Sequence, residues 1–250
     1  MDSSTVAVLL VIGLVVLIAF FIFLMFYTTA RHHQQVSNVL IPLGFEKNDA
    51  DKDLVTSKFS IVSERYSKDK RAAVINLHRK QAAEYTLYVC EYHLMSASGR
   101  ARGADYLLAG VLSQDLHLPR FTVEPNPQQF RRAGKMLEAV FSNLSTSTLQ
   151  KIQTSNPQFN DRFNLYAPAG LSVDDLVSEA AMRLLLSAGN ITLDAKGDTF
   201  VLSSLDIESE RVARKFDPHK LRQLVDLARM LTDEFRHGKK PGTNREIPQA

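Results

Sequence analysis

The sequence predicts an α+β protein: an N-terminal transmembrane helix followed by a mostly antiparallel sheet with helices packed on one face. Three observations carry that reading. Thr5 to Tyr27, TVAVLLVIGLVVLIAFFIFLMFY, holds no charged residue, and about twenty helical residues at about 1.5 Å each span a hydrocarbon core of about 30 Å. Downstream, short runs rich in Tyr and β-branched residues follow one another in hairpin-like pairs. Between and after them lie segments whose apolar residues recur at helical spacing. Hairpins that precede or separate helices make an α+β layering.

The totals agree with one anchor and one soluble body. The chain has 250 residues, 45% hydrophobic and 23% charged. With the anchor set aside, roughly 220 residues remain, enough for one large or two small cores. A net charge of +3 is mildly basic, which suits a neighbour of anionic lipid but lacks the dense Lys/Arg stripe of a nucleic-acid binder. Cys90 is the one cysteine, so an intramolecular disulfide and a Cys-based zinc site are excluded, and a reducing compartment is the natural setting.

A cleaved signal peptide has a positive start and a short apolar core. MDSST carries Asp2 and no Lys or Arg, so the segment reads as a retained anchor. Arg31, Lys47, Lys52 and Lys58 follow it, and the positive-inside bias then places the N-terminus outside and the body in the cytoplasm. His32 and His33 fall at headgroup level as interfacial polar residues. Gly13 has no second small residue four positions away, so no GxxxG dimer face is present.

Beyond the anchor, Arg31 to Leu43 prolongs the helix until Pro42 and Gly44 end it. Glu46 to Asp53 and Ser63 to Arg71 read as polar connections, the second with a basic end able to rest on anionic headgroups. AVINLH places Val74, Asn76 and His78 on one strand face and Ile75 and Leu77 on the other. EYTLYVCEYHLM, Glu84 to Met95, pairs with it through the turn RKQAA. Tyr106 to Ser113 and Arg120 to Glu124 are two further strands. Asn126, Pro127 and Gln129 open a helix to about Phe141 with a basic face at Arg131, Arg132 and Lys135. Strands are expected near Leu149 to Gln153 and at Arg162 to Ala167. Ser172 then caps a helix carrying Val173, Leu176, Val177, Ala180, Leu184 and Leu185. Ile191 to Asp194 and Thr199 to Ser203 form a hairpin. Asp217 and Pro218 start the last helix, with Leu221, Leu224, Val225, Ala228, Leu231 and Phe235 along one side.

Chemistry is sparse. SASGRARGA, Ser96 to Ala104, has glycines and arginines but lacks the GxxxxGK[ST] spacing of a phosphate loop. Seven histidines without HxxxH, HExxH or HxH spacing give no metal motif, and no GxSxG appears. The residues that could converge for acid–base chemistry are Glu84, Glu91, His78 and His93 on the hairpin, while Cys90 reads as a small core residue. No catalytic, cofactor-binding or metal-ligating residue is assigned, and no cofactor is expected.

FNDRFNLYA, SVDDLVSEAAMRLLL, ITLDAKGDTFVLSS and FDPHKLRQLVDLARMLTDEF together resemble uncharacterised bacterial single-pass membrane proteins of actinobacterial type, over about Phe121 to Phe235. The resemblance implies a membrane-tethered domain of unknown function and carries no catalytic residue across. The organisation expected is therefore an anchor at 1–30, a juxtamembrane helix and linker at 31–58, a soluble α+β domain at 59–236 with a division near 120 left open, and a disordered basic tail at 237–250. The function expected is a membrane-tethered cytoplasmic interaction or scaffold domain; the alternative is a membrane-associated enzyme or a small-molecule or lipid sensor. Its partners would be the lipid bilayer, through Thr5 to Tyr27, and a protein, with no nucleic acid.

Overall fold

The charge-free run at the N-terminus is only the first part of a longer rod. In the computed structural model, which describes residues 3–64, 70–96, 104–126, 149–204 and 216–237, helix α1 runs unbroken from Ser3 to Leu40. Its apolar half lies outside the folded body, with Phe23 63% and Phe26 73% exposed. Its last turns do the opposite: Val36, Val39 and Leu40 are buried in the main core. A 3-10 turn at Ile41–Leu43 closes the helix, with Pro42 inside it and Gly44 in the left-handed region at φ 84°. Only glycine takes that conformation at little cost, so the chain reverses there.

The body is one nine-stranded antiparallel sheet. Its strands are β1 (Glu46–Lys47), β2 (Lys70–Gln81), β3 (Thr86–Ser96), β4 (Ala104–Leu112), β5 (Leu118–Pro125), β6 (Gln150–Ile152), β7 (Phe163–Ala167), β8 (Ile191–Gly197) and β9 (Thr199–Ser204). They lie in the order β1-β2-β3-β4-β9-β8-β5-β7-β6. The hairpins expected at β2–β3 and β8–β9 are both present, the second turning through Gly197 and Asp198 with Lys196 opposite Thr199. β5 pairs with β8 and β7 in the interior, so a single sheet runs through residue 120.

Alternation sorts the side chains onto two faces. Leu87, Val89, Leu107, Val111, Phe121, Val123, Leu193, Phe200 and Leu202 face the long helices α1, α6 (Glu179–Ala188) and α7 (Pro218–His237) in one continuous core. The other face carries a smaller core of Val74, Leu77, Tyr88, Cys90, Tyr92, Tyr106, Leu108 and Val201. It is covered by two short helices, α2 (Lys52–Lys58) and α3 (Ser60–Glu64), through Val55, Phe59, Ile61 and Val62. Much of the stretch expected as a linker thus folds: Glu46–Lys47 adds a strand, and Asn48 accepts hydrogen bonds from the amides of Ala50 and Asp51 to launch α2.

Three local expectations change. The helix expected from Ser172 is broken into α5 (Val173–Leu176) and α6, because Ser178 accepts from the Ala181 amide and caps a new start. Ala181, Met182 and Leu185 form the buried stripe of α6, and Ala180 is only half-buried. A further helix, α4 (Pro157–Arg162), lies in the polar stretch before β7; Asn156 caps it and Phe159 is fully buried against Phe163. The last helix starts at Pro218 as expected, with the Asp217 carboxylate accepting from the His219 amide. The helix expected at Asn126 to Phe141, the SASGRARGA loop and the tail fall largely outside the described residues.

Gly110 is the tightest fit. A Cβ there would lie 2.1 Å from the Phe59 ring, so β4 can carry α2 at this height only without a side chain. Gly110→Ala should destabilise the domain by about 1–3 kcal/mol through overpacking. Adding Phe59→Leu to that variant should cost less than the sum of the two single changes, read as urea midpoints in a double-mutant cycle.

Candidate functional site: a buried polar node where the long helix meets the sheet

The site is built by an irregularity in β2. Ile75 pairs with Glu91 and His78 with Val89, so Asn76 and Leu77 together stand opposite Cys90. Asn76 sits at φ 47°, the one non-glycine residue with positive φ among the described residues, and Asn tolerates that region better than most side chains. This bulge re-aims the strand. Val74 and Leu77 both enter the smaller core, whereas Asn76 and His78 point toward α1. The plain alternation expected for AVINLH, with Val74 beside Asn76 and His78, is replaced at this point.

Glu91, on β3, lies at the centre and is 0% exposed. The Asn76 amide donates to its Oε1 at 3.0 Å. From α1, His33 Nε2 stands 3.4 Å from Oε2 and His32 Nε2 3.8 Å from Oε1. His78, also fully buried, holds Asn76 O at 3.0 Å through Nδ1 and Ser37 Oγ at 3.0 Å through Nε2. Phe216, where the chain enters α7, meets the His32 ring edge-on at a centroid distance of 5.6 Å. Three elements, α1, β2 and β3, are therefore joined through polar atoms inside an otherwise apolar contact.

The electrostatics follow from enclosure. Burial holds the pKa of His78 below the ordinary histidine value, opposed by its hydrogen bond to Asn76 O, so the ring is neutral near pH 7. Cys90, next to Glu91 on β3 but on its other face, is fully buried and its thiol is pushed up by burial, which makes it inert. Tyr88 is pushed up to about 12 by burial and by its hydrogen bond to Asp51. That bond, 2.9 Å long, ties the start of α2 to β3, while Arg79 of β2 holds Asp51 and Glu46 of β1.

Of the four hairpin residues singled out by sequence, His78 and Glu91 are brought into one network. His93 lies two residues further along β3, opposite Ala73 and half-buried. Glu84 is at the far end of the hairpin, exposed and paired with Arg236 of α7, which also holds Asp115. Sequence reasoning passed over Asn76, Ser37 and the part played by His32 and His33; only the bulge and the docking of α1 bring them together. Among the described residues, no group of three or more His, Cys, Asp or Glu is arranged to hold a metal ion. A cavity of about 60 Å³ lies between α6, β8 and α7, lined by Ala188, Ile191, Lys220 and Leu224, well below the roughly 300–1,000 Å³ of a small-molecule site.

The chain matches no family model, no curated protein and no solved structure. The functional reading therefore rests on its own geometry. The enclosed Glu91 carboxylate and the enclosed His78 imidazole both lie where α1 meets the sheet.

Two outcomes are expected. Asn76→Ala should lower stability by about 2 kcal/mol or more, because it strains the left-handed backbone and removes a donor from a buried carboxylate, and Asn76→Gly should recover the strain portion. The pH effect of His78 has a definite sign. Its folded pKa is depressed, so below about pH 6.5 the unfolded chain takes up the proton first and stability falls with acidity; above that pH the contribution is intact. Urea midpoints at about pH 7.5 and about pH 5 should differ less in His78→Gln than in the unaltered protein.

Proposed function

We propose that this protein is a membrane-tethered, cytoplasmic interaction or scaffold domain, carried on a single N-terminal anchor with its short N-terminus outside. The observation that carries the reading is the division of α1. The helix is long and apolar enough to cross a membrane, with a mean hydropathy of 2.5 in its most apolar window, and the side chains from Ile12 to Tyr27 that are described are exposed. Exposed aliphatic and aromatic residues on every side of a helix need an apolar surrounding, which a bilayer supplies. The same helix then delivers Val36, Val39 and Leu40 to the core. The resemblance of residues 121–235 to single-pass bacterial membrane proteins points the same way.

This arrangement would hold the body close to the headgroups. His32, five residues beyond Tyr27, already touches Phe216, and five residues of helix rise only about 7.5 Å. A protein partner would then meet the body within reach of the inner leaflet. The alternative of a membrane-associated enzyme or a lipid or small-molecule sensor draws on the linkage of His78 to Glu91 through Asn76, and is weakened by the complete enclosure of both.

The test is extraction and labelling of the full-length protein in its native membrane. It should stay in the pellet through alkaline carbonate and be released by detergent. Cys90 is buried and should remain silent to a membrane-impermeant maleimide, so Ala250→Cys supplies the reporter. That cysteine should be labelled only after the inner face is opened; labelling of intact cells would reverse the orientation, and carbonate release would remove the anchor.

A further inference from the structure

We propose that the open end of the β2–β3–β4 strands is a second membrane contact, one that binds anionic headgroups through Lys68, Lys70, Arg71, Arg100 and Arg102. The inference rests on the reading of α1 as a membrane anchor and deepens it by naming the lipid chemistry that the body itself would meet.

Which end of the sheet faces the bilayer follows from how α1 lies on β2. The turn that closes α1 sits at Lys80, whose Nζ donates to Leu43 O. Further back along the helix Ser37 meets His78, and further still His32 reaches Glu91, the partner of Ile75. From Leu43 to His32 the helix falls by roughly 17 Å, and from Lys80 to Ile75 the strand falls by roughly the same amount. The two run side by side in one direction, so the start of β2 points where the start of α1 points. α7 marks the same two ends in reverse: Phe216 lies on His32, and Arg236 lies on Glu84 at the β2–β3 turn. Lys70, paired with Ser96, is five residues beyond Ile75, about 16 Å further along the strand and level with about eleven more residues of helix. Sheet twist shortens that reach. About twenty helical residues counted from Thr5 cross the hydrocarbon and end near Leu24, so the strand end arrives at the headgroup layer.

Charge separates along the same axis. Lys70 pairs with Ser96, Arg71 with Met95 and Leu94 with Ala104. Arg100 and Arg102 fall in the connection from β3 to β4, and Lys68 precedes β2 by two residues. Four residues of chain reach at most about 14 Å, so these three bases stay near the strand ends. Five bases there stand against two acids, Asp69 and Asp105, an excess of three that equals the net charge of the whole chain. Longer segments leave this end after β5 and β9; residues 127–148 hold three bases and one acid and residues 205–215 three of each, so neither reverses the sign. At the opposite end the charges are matched: Arg236 holds Glu84 and Asp115, and Lys58 holds Asp198 of the β8–β9 turn. A basic end brought within a Debye length of an anionic surface is attracted through each of its charges, and the anchor keeps it there at high effective concentration.

The contact can be read on the full-length protein in nanodiscs, with a fluorophore on Ser98→Cys and quenching by a lipid that carries a nitroxide on its headgroup; buried Cys90 stays unlabelled. Replacing about a third of a neutral lipid by phosphatidylglycerol should raise the quenching on the order of threefold at low salt, and about 0.5 M salt should return it to the neutral-lipid level. Arg100→Gln with Arg102→Gln should remove about half of the rise, and adding Lys70→Gln and Arg71→Gln should remove nearly all of it. A fluorophore on Ala83→Cys, at the β2–β3 turn, should show no rise in either lipid. A chain that fails to co-purify with the discs would remove the anchor and this contact with it. A chain that inserts but responds equally to neutral and anionic lipid, or shows the same rise at Ala83→Cys, would overturn the contact and leave the anchor standing.

Discussion

A carboxylate sealed from water where a helix joins a sheet constrains everything near it. Glu91 cannot be hydrated, so its oxygens must be met by protein groups. Asn76 meets one of them only by turning toward α1, and His78, turned the same way, bonds Ser37 and Asn76 O instead, an arrangement that a regular strand with Val74 on the opposite face could not provide. The bulge at Asn76 resolves this at the cost of one residue in left-handed backbone. Buried charge is weak support for stability in itself, but removing one partner of such a group is expensive. Its effect is to specify one register of α1 against the sheet.

That specificity matters because the rest of the α1 contact is apolar and tolerant. Val36, Val39 and Leu40 would accept several neighbouring rotations of the helix with similar burial. Ser37 against His78, and His33 against Glu91, accept only one. The apolar rod is thus joined to the body through its own last turns, without an intervening linker. The folded state of residues 46–64, which adds β1, α2 and α3, removes most of the slack that a linker there would have given.

The second face of the sheet shows the same economy of space. α2 and α3 are too short to be stable alone, and they hold through Phe59, Val55 and Tyr88 packed over β3 and β4. Gly110 lets Phe59 reach the backbone. Polar ties at the rim, Tyr88 to Asp51 and Lys58 to Asp198, fix their direction. The longer helices α6 and α7 need no such help, since α7 alone buries Leu221, Leu224, Val225, Leu227, Ala228 and Leu231.

Periodicity and composition by themselves determined the apolar helix, the α+β class, both hairpins and the start of α7, because those depend on neighbours within a few residues: alternation for strands, a cap and a proline for the helix, glycine for the turns. The break at Ser178 was legible only as a second Ser ahead of a carboxylate, and Asn156 as an Asn before Pro; each competes with many look-alikes. What tertiary structure alone decided is the polar node. Ser37 and His78 are 41 residues apart and Asn76 and Glu91 fifteen, and no local rule says which histidine meets which carboxylate. The bulge inverts the alternation on which a reading of the β2 faces must rest, so His32 and His33 look like surface residues until the helix that carries them is packed against a sheet.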